Sequence, residues 1–194
     1  LLLTPCQPSF VTVNSEKQYR NTQVLIKLGQ LLMTKTGWGR ARNDQIATDV
    51  PGFRARLIRL GKLEEVETLR KVLRTEMAVM KKEGRKPGII LYHNGDISRE
   101  VKTMVEQEGT SAGWQVRDID EFKGSEEDNV IYLGPGYMEC FTWAKLHLSV
   151  VLFWDPQSGN SGIVEKGYDK FSADLEQAER LDLVVDVTPR MSLT

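Results

Sequence analysis

Residues 88–133 read GIILYHNGDISREVKTMVEQEGTSAGWQVRDIDEFKGSEEDNVIYL. Gly88 to Tyr92 is a compact apolar run of strand length. Asp96 can cap a helix over Ile97 to Glu108, with Ile97, Val101, Met104 and Val105 on its inner face, and Gly109 supplies a stop. Trp114 to Ile119 then reads as a strand, and Val130 to Leu133 as another. Strands alternating with a helix predict a mainly parallel sheet covered on both faces, an α/β fold.

The alternation continues outward. Toward the C-terminus, Tyr137 to Lys145 is helical in pattern, and Leu146 to Trp154 is a buried strand. Gly159 to Gly167 reads as loop, Phe171 to Leu181 as a helix and Leu183 to Val187 as a last strand. Toward the N-terminus, Lys62 to Glu83 is the strongest helix, with Leu63, Val66, Leu69, Leu73, Met77 and Met80 at steps of three and four. Gly84 and Pro87 end it. Such a stripe is core more often than a partner surface. Phe53 to Leu60 alternates Arg54, Arg56 and Arg59 with apolar residues, as an exposed strand does, and Gly61 breaks it. Thr36 to Asp49 is polar and reads as a loop. Asn21 to Thr34 suits a helix with Val24, Leu25, Leu28, Leu31 and Leu32 on one face, and Phe10 to Val13 is a short β-prone run.

The chain of 194 residues suits one well-cored domain. With 26 basic and 27 acidic residues the net charge is −1, so no global field draws it to nucleic acid or an acidic membrane. Cys6 and Cys140 make no disulfide framework, and a reducing, intracellular setting (cytoplasmic or nuclear) is expected. No apolar run approaches the ~18 residues of a membrane span. The opening LLLTPC lacks a basic n-region and makes a poor signal peptide. Without an initiator Met, the chain is expected to be part of a larger protein.

Three short segments stand in a telling order. Gln18-Tyr19-Arg20-Asn21-Thr22 lies between the first strand and the first helix. Asp118 to Val130, DIDEFKGSEEDNV, bridges two strands. Cys140-Phe141-Thr142-Trp143-Ala144-Lys145 precedes the strand ending at Trp154. In this order they resemble motifs IV, V and VI of the C-terminal RecA-like domain of superfamily 1 helicases, the UvrD/Rep type, over roughly Phe10 to Trp154.

The resemblance implies a RecA-like, P-loop NTPase-type domain spanning 1–194. It implies ATP with Mg2+ in the parent protein, an N-terminal RecA-like domain as partner within the same protein, and DNA or RNA as track. It also assigns roles. Arg20 would reach the γ-phosphate as a catalytic cation. Lys123 and Gly124 would form a phosphate-approaching turn, Glu126 would hold a ribose hydroxyl, and Asp120 would touch nucleic acid. Charge builds on a transferring phosphoryl group, so cations from both halves suit the chemistry. The plain alternatives are a surface ion pair for Arg20, an ordinary turn at Lys123-Gly124, and a solvated acidic face for Glu126 with Glu127 and Asp128.

The sequence also departs from the family. Motif VI ordinarily carries an arginine finger, and Trp143 stands at that position. Losing such a finger costs about 10³–10⁵ in rate. Tryptophan offers no bidentate cation, though it can stack on a base or fill a core; Lys145 is no equivalent. No G-x-x-x-x-G-K-[ST] loop occurs, so the isolated chain is expected to be inactive. From Arg20 to Asp118 is 98 residues, which favours the shorter-insert branches.

Elsewhere, His93, His147, Cys6 and Cys140 lack metal-ligand spacing, and Gly134-Pro135-Gly136 reads as a loop. Lys35, Arg40, Arg42, Arg54, Arg56 and Arg59, with Trp38 among them, suit either phosphate contacts or a solvated surface. Three functions follow: an ATP-driven helicase half, a catalytically decayed helicase-like module for nucleotide sensing or interaction, and an unrelated Rossmann-like nucleotide binder.

Overall fold

Apolar residues at strand and helix spacing produce eleven elements in the described residues of a computed structural model, 22–35, 52–122, 125–136 and 143–188. They are α1 (Gln23–Lys35), β1 (Ala55–Lys62), α2 (Val66–Lys82), β2 (Ile89–Tyr92), α3 (Arg99–Ser111), β3 (Gln115–Asp118), α4 (Ile119–Phe122), β4 (Glu127–Gly134), β5 (Ala144–Trp154), α5 (Ser161–Arg180) and β6 (Val184–Asp186). The strands form one sheet in the order β3-β2-β4-β5-β1-β6, and every pairing is parallel. The expected α/β class therefore holds, with a sheet that is wholly parallel.

Helices cover both faces because the central strands are apolar on both sides. On one face Leu25, Leu28 and Leu32 of α1 and Phe171, Leu175 and Ala178 of α5 pack on Leu57, Leu91, Tyr132 and Leu152. On the other, Leu69, Leu73 and Met77 of α2 and Val101, Met104 and Val105 of α3 pack on Ile58, Ile90, Ile131 and Val151. The α2 stripe is thus core.

Several local expectations fail, each for a tertiary reason. β1 is no exposed strand: it lies between β5 and β6, with Leu57 and Ile58 buried. It also runs on to Lys62, absorbing Gly61 at a register irregularity with φ +68°. Ser98, not Asp96, caps α3, its hydroxyl accepting from Val101 N at 3.4 Å. Gly109 does not stop that helix but lies within it. A Cβ there would sit 2.5 Å from Val116 Cγ2 and 2.9 Å from Ile90 Cδ1, so glycine serves the close approach of helix to sheet. Ala144 and Lys145 belong to β5, not to a helix, and most of 159–167 belongs to α5. Phe10–Val13, Thr36–Asp49 and residues 137–142 lie outside the described residues.

Candidate functional site at the amino edge of the sheet

The register brings three chain ends to one place. Glu127 pairs with Ala144, so the amino ends of β4 and β5 lie side by side. Thr22, just before α1, donates its N–H to the Lys145 carbonyl at 3.2 Å. Its own carbonyl accepts from Ile26 N at 3.0 Å, opening the helix. Gly52 makes this possible on the other side: a Cβ there would stand 2.2 Å from the Thr22 Cβ. The Thr22 hydroxyl is buried without a hydrogen-bond partner among the described residues.

Glu126 and Trp143 immediately precede these two paired strand ends. Glu126 is half-buried. Trp143 is only 4% exposed and joins the core under α1 and α5. Its ring meets Phe122 edge to face, with centroids 6.3 Å apart and planes at 87°. Here, then, the tryptophan fills a core rather than presenting a surface for a base. Arg20, Lys123 and Gly124 lie outside the described residues.

Asp120 is not part of this group. It follows β3 on α4, at the carboxyl edge. Arg117 and Tyr132 both pair with Leu91, and Glu127 lies five residues before Tyr132. At about 3.3 Å per residue, Asp120 and Glu126 are separated by about 15 Å or more along the strands.

The carboxyl edge carries polar residues that sequence reasoning passed over. His93, just after β2, has Nδ1 3.3 Å from Asp96 and Nε2 3.7 Å from Asp120. Burial pushes the Asp96 carboxyl above its ordinary range, against the pull of His93. Asp118 is buried and accepts from Asn94 N at 2.9 Å and Asp120 N at 2.7 Å. Asp155, at the end of β5, accepts from Ser98 N at 2.7 Å and Gln157 N at 2.8 Å, tying the start of α3 to the sheet. An open cleft of about 1070 Å³ lies here, between the strand ends and the first turns of α2 and α3. Its wall carries Glu64, Glu65, Glu67, Glu100 and Asp155 against Arg70 and Arg99, a poor cradle for a triphosphate. The readable signal was polar residues directly after apolar strands, His93-Asn94-Gly95-Asp96 and Asp155.

The arginines in and just before β1 do not form an open basic stripe. Arg56 is held by buried Glu76 at 2.7 and 2.9 Å, Arg54 by Asp182 at 2.5 Å, and Arg59 by Glu179 and Asp186. Trp38, Arg40 and Arg42 lie outside the described residues.

Neither a family model nor a curated protein matches this sequence. Among the described residues no group of three or more His, Cys, Asp or Glu could hold a metal ion, and no helix is long and apolar enough to cross a membrane.

Proposed function

We propose that the chain is the C-terminal RecA-like domain of a superfamily 1 helicase-type ATPase, contributing to ATP-driven movement on nucleic acid together with an N-terminal RecA-like domain. The observation that supports this reading is the grouping at the amino edge. Glu126, read as a ribose ligand, and Trp143, at the finger position, flank one pair of strand ends. Thr22, two residues after Arg20, is bonded to the same place. Asp120, read as a nucleic-acid contact, stands apart at the other edge. A domain that meets nucleotide and track separately needs such a division. ATP and Mg2+ belong to the other half in this reading, consistent with the missing phosphate loop and the acidic carboxyl-edge cleft.

A second reading, a catalytically decayed module that senses nucleotide or binds a partner, is favoured by Trp143. A core-filling indole leaves no room for a finger at that position without repacking.

Nucleic-acid-stimulated ATP hydrolysis by a chain that includes the first RecA-like domain tests both. Under the first reading the wild type turns over ATP and Arg20→Ala loses about 10³-fold or more. Turnover untouched by Arg20→Ala would sink the assignment of Arg20. An inert wild type that still binds nucleotide or nucleic acid selects the decayed module.

A further inference from the structure

On the opposite face of the same edge lies a pocket of about 460 Å³ whose wall includes Phe53, Arg54, Arg56, Glu83, Arg85 and His147. It makes no use of the motif residues, and the inference drawn from it does not rest on the helicase-type reading. Three guanidinium groups face one carboxylate across the wall. The other two carboxylates that hold these arginines, Glu76 on Arg56 and Asp182 on Arg54, are not among the lining residues. Donors remain after these pairings, since a guanidinium has five N–H groups. Arg56 gives two to Glu76, Arg54 one to Asp182 and Arg85 one to Glu83. Arg85 also lies over the Phe53 ring, with its Cζ 4.4 Å from the ring centroid.

His147 supplies the second observation. It is 3% exposed, and its Nδ1 has no hydrogen-bond partner among the described residues. Ser149 Oγ donates to Glu76 Oε2 at 2.8 Å, so the hydroxyl lone pairs face His147 Nε2 at 3.5 Å. With the Ser149 hydroxyl proton on Glu76, the tautomer that suits this contact carries its proton on Nε2 and leaves Nδ1 as an acceptor. A buried acceptor without a donor is costly, and native proteins rarely leave one. An occupant of the pocket that accepts from the arginines and donates to Nδ1 would satisfy both.

We propose that this pocket binds a phosphoryl group, as free phosphate or a small monoester, with Arg54, Arg56 and Arg85 donating to its oxygens and His147 Nδ1 receiving a proton from its P–OH or from solvent. A protonated phosphate oxygen meets both demands at once. A fully ionised oxyanion meets them when His147 takes up a proton, which burial and then the arginines otherwise oppose. The charges facing the imidazole are Arg56, Glu76, Glu83 and Arg85, so an added dianion turns the local field toward protonation.

The test is side-chain nitrogen NMR of the two histidines in the full chain, titrated with inorganic phosphate, sulfate and adenosine monophosphate against chloride at equal ionic strength. His93, at the far edge, is the internal control. Phosphate should shift the His147 ring saturably while His93 stays fixed, and sulfate should raise the His147 titration midpoint. Arg85→Gln should weaken binding about tenfold or more, and Arg85→Lys less, with thermal melts checking the fold. Tighter binding of the monophosphate than of phosphate identifies an ester as occupant, and the reverse identifies the free ion. The proposal is overturned if neither anion shifts His147 saturably, which leaves water as the occupant. It also falls if both histidines move together, or if Arg85→Gln binds as wild type does.

Discussion

His147 shows how one buried side chain can set a pH response. Burial first, then the Arg85 guanidinium, push its imidazole from the ordinary 6.5 down to about 4. Between those values the unfolded chain holds more protons than the folded one. Stability is therefore full above the unfolded value and falls as pH drops toward about 4, by up to about 1.4 kcal/mol per unit. From pH 7 to pH 5 this residue removes about 2 kcal/mol. Urea denaturation of wild type and His147→Gln at both values isolates it from the carboxylates: the variant should lose about 2 kcal/mol less. Equal losses in the two proteins would show that His147 does not titrate as buried. Sequence gave no sign of this, since a histidine two residues before Ser149 carries no mark that α2 will place Glu76 beneath it.

At the scale of elements, the seam between α4 and the start of β5 decides how the motif segments are read. Phe122 ends α4 and Trp143 immediately precedes β5, and their rings meet edge to face. Trp143→Arg places a guanidinium in a site 4% exposed. It should destabilise by about 3–5 kcal/mol, and Trp143→Phe by less, as read from denaturation midpoints. A Trp143→Arg protein as stable as wild type would mean that the indole is not core, and would reopen this position as a surface finger. The α5 helix teaches a related lesson. Gly162 and Gly167 each weaken a helix by about 1 kcal/mol relative to alanine, yet both lie within α5. Val164, Phe171, Leu175 and Ala178 nevertheless keep a helical stripe, and burial under the sheet outweighs propensity.

For the molecule as a whole, the distance between layers is the governing quantity. Gly109 brings α3 close to β2 and β3, with no room for a methyl between it and Val116. Alanine gains about 1 kcal/mol of helix propensity at such a position, while overpacking costs about 1–3. Gly109→Ala should therefore fail to stabilise the protein and should lower its thermal midpoint. A raised midpoint would mean that the helix layer can move outward freely. The same layering leaves two edges with different chemistry, acidic cleft at one and arginine-lined pocket at the other, on one continuous sheet.

The linear order of apolar and polar residues determined the α/β class, the parallel sheet and the identity of most elements, because strand and helix periods are local properties. It also determined that Trp143 is no cation. Tertiary structure alone decided that β1 is interior and that Ser98 caps α3. It also separated Asp120 from Glu126 and gathered Arg54, Arg56, Arg85 and His147 around one pocket. The reason is geometric: strand order and register set which distant residues share an edge, and neither is written in the spacing of a single segment.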